Sequence, residues 1–129
     1  MDIKRTITQL TDELGEERVL TRTAIGADYC HDEYPGGSYA PDAVIEARTT
    51  EEVSRVLKVC CENGVFVTVR GAGTGQAGGS VAINGGIVLS VKGMNGILGF
   101  NAEDNTLSVQ AGALFGRIHA GDEPLVARD

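Results

Sequence analysis

Tryptophan is absent from this chain, and phenylalanine and tyrosine occur only three times each. Any core it forms is therefore mostly aliphatic, and 42 % apolar residues over 129 positions are enough for about one domain. Basic residues are also scarce. Eleven Lys and Arg stand against 18 Asp and Glu, giving a net charge of −7 with no basic run. That balance argues against nucleic acid or an anionic membrane as partner. No apolar stretch is long enough to span a bilayer, and the first five residues, MDIKR, lack a signal-peptide core. Cysteine occurs three times, an odd count, with Cys60 and Cys61 adjacent. This suits reduced thiols in a cytoplasm better than a disulfide framework.

Glycine is what the chain has in plenty. Residues 70–80 read RGAGTGQAGGS and hold Gly71, Gly73, Gly75, Gly78 and Gly79, directly after the apolar β-type stretch 65–69. A strand that ends in several glycines lets the main chain turn sharply and present bare N–H groups to an anion. Thr74 and Ser80 add hydroxyl donors. The natural guest is a phosphate or pyrophosphate, although glycine content alone also fits a flexible loop without a ligand. Gly73-x-Gly75-x-x-Gly78 has the letters of the dinucleotide fingerprint, but no helical period follows, and the strand predicted over 87–91 ends at Lys92 rather than at an acid. A P-loop frame fails as well, because Gly79 stands at its lysine position. A strand–loop–strand flavin site is the reading that survives.

Along the chain, Ile3, Ile7, Leu10 and Leu14 predict a helix over 3–14 that stops at Gly15. Val19 and Leu20 read as a short link, followed by a polar loop to Pro41. Cys30, His31, Asp32 and Glu33 are metal-capable neighbours, but consecutive ligands rarely converge on one ion, so a surface loop is expected there. His119 reads as a solvated or structural histidine. A first strand spans 41–47. Thr49 and Glu52 form a predicted capping box for a helix with Val53, Val56, Leu57 and Cys60 on its buried stripe and Gly64 as its stop. Cys60 is then a small core residue rather than half of a redox pair. The strand at 87–91 is apolar enough to be covered on both faces. Residues 97–100 and 106–110 flank a five-residue loop and predict a hairpin, and 114–120 a helix start.

Several segments, taken in order and spacing, are specific: Pro41-Asp42-Ala43-Val44, Thr49 to Val53, Arg70 to Gly75, Gly78-Gly79, Gly85 to Ser90, Met94-Asn95 and Val109 to Gly112. On these the chain, from about Leu10 to about Leu114, resembles the N-terminal part of FAD-linked oxidases and dehydrogenases of the glycolate oxidase/D-lactate dehydrogenase type. Their flavin domain is of the vanillyl-alcohol oxidase/p-cresol methylhydroxylase kind. The resemblance implies an α+β fold, the N-terminal half of a two-subdomain FAD-binding domain. Residues 1–40 would form an N-terminal helix and loop, 41–92 the first subdomain with the pyrophosphate loop, and 93–129 the incomplete start of the second. It also implies that Arg70, Gly71, Ala72, Gly73, Thr74, Gly75, Gly78 and Gly79 bind the cofactor. Relatives that tether flavin through histidine carry it where Thr74 stands, so the cofactor implied is non-covalent FAD. Ala82 and Ala111 replace prolines common in relatives, and the match fades from Phe115 onward.

No catalytic residue and no metal ligand can be assigned. The function expected is the FAD-binding portion of an oxidoreductase acting on a 2-hydroxy acid such as glycolate or D-lactate, inactive alone. It would be completed by a missing C-terminal segment or a partner chain of the same enzyme. Self-association is expected of the uncovered second half. The alternatives are a stand-alone phosphate- or nucleotide-binding module and a non-functional truncated remnant.

Overall fold

The periodic apolar residues of the first segment form helix α1, Ile3–Leu14. Asp2 caps it, its carboxylate accepting from the Arg5 N–H at 3.1 Å, and Gly15 ends it with a φ of 99°. The structure, a computed structural model, describes residues 1–120. After a 3-10 turn comes strand β1, Val19–Thr21, where the sequence suggested only a link. It pairs antiparallel with β2, Ala43–Glu46. Three residues are too few to show a period, and pairing with β2 makes them a strand.

Helix α2, Thr50–Glu62, starts where the capping signal places it, with Thr49 Oγ1 accepting from the Glu52 N–H at 3.2 Å. In the return half of the predicted capping box the Thr49 N–H is a weaker partner of the Glu52 carboxyl. The closer partners of that carboxylate are the Arg48 N–H at 2.7 Å and Nη2 of the buried Arg18. The buried stripe is Val56, Val59 and Cys60, with Val53 half-buried, whereas Leu57 is exposed and does not belong to it. Gly64, at φ 65°, lets the chain leave the helix, as the sequence suggested.

Strands β3, Val67–Arg70, and β4, Ile87–Ser90, complete a four-stranded sheet of order β1-β2-β4-β3 in which β2 and β3 both run parallel to β4. Every residue of β4 is buried, and strand alternation shows why. Ala43, Ile45, Ile87 and Leu89 face α1 and α2 in one core with Leu10, Val56, Val59 and Cys60. Val44 and Val88 face the other way, against Ala82 with Leu20, Ile25 and Tyr29. Residues 1–40 thus share the core of the segment that follows them.

Beyond the sheet, β5 (Ile97–Asn101) and β6 (Thr106–Val109) form the expected hairpin as a separate two-stranded sheet, with an irregular register between Ile97 and Gly99. Asn101 Oδ1 accepts from the Glu103 N–H, Asp104 Oδ1 accepts from the Thr106 hydroxyl, and Asn105 takes a φ of 54°, which asparagine tolerates. Helix α3, Phe115–Ala120, closes the described part. The side chain of His119 and residues 121–129 lie outside the described residues.

Candidate functional site

Parallel strands cannot be joined by a tight turn, because the chain must travel back along the sheet before the second strand begins. Between β3 and β4 that return is made by residues 71–86, and it contains no helix or strand. A helical crossover would satisfy its own N–H groups, but an irregular one leaves them to other partners. Among the described residues, no backbone N–H from Gly71 to Ser80 donates to a protein acceptor. The loop bends through left-handed backbone at Gly73 (φ 73°) and Gly78 (φ 75°). A Cβ on Gly73 would sit 2.0 Å from Nη2 of Arg70, whereas one on Gly71 or Gly79 would meet no atom within 4 Å. The loop is therefore packed behind Gly73 and open at Gly71 and Gly79.

Arg70, the last residue of β3, is 5 % exposed. Its Nη1 donates to the His31 carbonyl at 2.8 Å, its Nη2 donates to the Asp28 carbonyl, and the guanidinium lies over the Tyr29 ring at 5.6 Å. It faces the segment before it in space and brings a fixed positive charge to the back of the glycine loop. That segment is largely exposed, as the sequence suggested, but not throughout. Asp32 is only 6 % exposed, although its neighbours His31 and Glu33 are exposed. Asp32 Oδ1 accepts from the Tyr34 N–H at 2.9 Å and Oδ2 from the Ser80 hydroxyl at 3.4 Å. The Glu33 N–H donates to the Gly75 carbonyl at 3.0 Å. A cavity of about 200 Å³ lies between this segment and the loop, lined among others by Asp32, Tyr34, Tyr39, Gly78, Val81 and Ile83. A carboxylate within a polar run gives no sequence signal of burial, and its loop partner Ser80 lies 48 residues away, so Asp32 escaped the sequence reading.

Among the described residues, no group of three His, Cys, Asp or Glu side chains could hold a metal. Burial pushes the Cys60 thiol up to about 11, so it is protonated at neutral pH, and Cys61 points outward on the exposed side of α2. Of the residues that sequence reasoning assigned to a cofactor, Gly71 to Gly75 and Gly78-Gly79 lie on the open loop and Arg70 lies beneath it.

Residues 41–121 match a family model described as an FAD binding domain. The chain belongs to this FAD-binding family. It is 43 % identical over 103 residues to a D-lactate dehydrogenase of Anaerostipes hadrus, covering 79 % of this chain and 22 % of that protein. It is 38 % identical over 113 residues to glycolate oxidase subunit GlcD of Bacillus subtilis, covering 88 % and 23 %. The structure of p-cresol methylhydroxylase with substrate bound superposes with a TM-score of 0.80 at 26 % identity, covering 92 % of this chain and 24 % of that one. The fold is thus that of part of a p-cresol methylhydroxylase-type FAD-binding domain. The chain spans less than a quarter of the length of either curated relative. No helix among the described residues is long and apolar enough to cross a membrane. The loop fits the FAD pyrophosphate: it offers main-chain donors, has no side chain in the way at Gly71 or Gly79, and backs onto a buried cation.

Proposed function

We propose that this chain is the N-terminal FAD-binding portion of a flavin-dependent oxidoreductase acting on a 2-hydroxy acid such as glycolate or D-lactate. The observation that carries this reading is the set of unpaired N–H groups along the glycine-rich crossover. Gly71, Ala72, Gly73, Thr74, Gly75, Gly78 and Gly79 would hold the pyrophosphate, the main chain donating and the Thr74 hydroxyl adding a donor. Arg70 would act from behind through its charge, since its donors already serve the carbonyls of Asp28 and His31. With Thr74 at the tethering position the FAD is non-covalent. Bound there, flavin supplies two-electron redox chemistry, while these residues bind and orient it. The names of the two curated relatives support the substrate class. In this reading residues 1–40, 41–92 and 93–129 are an N-terminal helix and loop, the first subdomain and the opening of the second. A downstream segment or partner chain of the same enzyme completes the cofactor site, and the enzyme works in the cytoplasm.

The test is a titration of FAD into the isotope-labelled chain, followed through amide shifts, which detect affinities as weak as millimolar. Shifts centred on residues 71–80 are expected. An unperturbed spectrum at saturating flavin would refute the proposal.

A further inference from the structure

We infer that Asp32 is a positioning residue that ties the segment 28–34 to the exit limb of the glycine loop and so presets the loop for its anionic ligand. The inference rests on the anion-loop reading proposed above. The segment meets the loop at its entry through Arg70, which donates to the carbonyls of Asp28 and His31. It meets the middle through the Glu33 N–H on the Gly75 carbonyl, and the exit through the Ser80 hydroxyl on Asp32 Oδ2. The other Asp32 oxygen accepts from the Tyr34 N–H and so fixes the turn that points Oδ2 at Ser80. A carboxylate buried beside an anion site opposes that anion by simple electrostatics, so charge alone gives no reason for it to be there. Holding an irregular loop whose own N–H groups make no bonds to the protein does give one, because an ordered loop has less entropy to lose when the ligand arrives.

The two explanations predict opposite signs. Inorganic pyrophosphate and FAD are titrated, by amide shifts, into the wild-type chain, Asp32→Ala, Ser80→Ala and the double variant. If Asp32 acted only through its charge, Asp32→Ala would tighten pyrophosphate binding. Positioning predicts roughly fivefold weaker binding of both ligands in Asp32→Ala and a smaller loss in Ser80→Ala. The double variant should be no worse than Asp32→Ala, since the tie is already cut. The Val44 and Val88 amides in the central strands should keep their exchange protection throughout, which general unfolding would remove. Unchanged or tighter binding in Asp32→Ala, additive losses in the double variant, or lost sheet protection in the weakened variants overturns the inference. A wild-type chain that binds neither ligand removes the anion-loop reading and this inference with it. Normal wild-type binding with an indifferent Asp32→Ala removes the inference alone.

Discussion

The glycines of the loop are not equivalent. Gly73 combines a left-handed backbone with a Cβ position 2.0 Å from the Arg70 guanidinium, which is itself held by three carbonyls, those of Asp28, His31 and Ser80, and cannot swing away freely. Gly75 has neither constraint: its backbone suits any residue, and the nearest atom to a Cβ is Asp32 Oδ2 at 3.8 Å. Gly73→Val should therefore weaken FAD binding by about 2 kcal/mol or more, through strain, a displaced Arg70 and a branched side chain against the ligand. Gly75→Val should cost less, since only the approach to the ligand suffers. Thr74→Ala should cost about 1 kcal/mol, one hydroxyl being lost while the main-chain cradle stays. Flavin affinities of the three variants give the ranking, and a Gly73→Val chain that binds as well as wild type would remove the loop from the cofactor site.

Between elements, the tie that matters most for pH is Arg18 to Glu52, which joins the turn after α1 to the first turn of α2. The hydrogen bond from Arg18 holds the Glu52 carboxyl below its ordinary value of 4.5, against a smaller opposing effect of burial and with help from the Arg48 N–H. A carboxylate depressed in the folded state stabilises the fold above the ordinary value, and that contribution is lost as pH falls through the folded value. Glu52→Gln should destabilise the chain by about 2 kcal/mol near neutral pH, because Arg18 stays buried without its counter-charge. As pH falls below that ordinary value and through the lowered one, the difference from wild type should shrink, and urea unfolding at neutral and acid pH measures both. A constant difference across pH would show that the pair does not titrate as argued. The same elements show what was legible in the sequence. α1, α2 and β4 announce themselves through period, cap and apolar run, all of which are local. β1 does not, since Val19 to Thr21 become a strand only beside β2, and Leu57 was placed on the stripe that Val59 occupies because two positions on one helix differ little in period. The glycine loop was legible as an irregular segment because its glycine content is local. The segment that braces it was not, because nothing near Asp32 in sequence betrays contacts to Arg70, Gly75 and Ser80.

At the scale of the whole molecule the two sheets differ in how well they are covered. The four-stranded sheet has helices on one face and the 20–29 and 82 regions on the other. The β5–β6 hairpin has no such cover among the described residues: Leu98 is 68 % exposed, with Phe100, Val109 and Leu114 also open. A two-stranded hairpin is marginal by itself, and an exposed apolar face with free strand edges promotes association. The incomplete cover also bears on catalysis, since dehydrogenation needs a positioned substrate and an enclosed flavin ring, and no acid, base or nucleophile of this chain is assigned to that step. We therefore expect no flavin-dependent turnover of glycolate or lactate by the 129-residue chain alone; a dye-reduction assay with added FAD checks this, and sustained turnover would contradict it. The hairpin makes a sharper prediction, because it contrasts two parts of one molecule. Amides of β4, buried at every residue, should exchange slowly at any concentration. Those of β5 and β6 should exchange fast in dilute solution and slow down as concentration rises, in step with the growth of a larger species by sizing. Association covers the exposed strands and so protects them, whereas it adds nothing to a strand already buried on both faces. A chain that stays monomeric at all concentrations, with β5 and β6 as well protected as β4, would mean that the hairpin is self-sufficient and that its apolar face needs no cover.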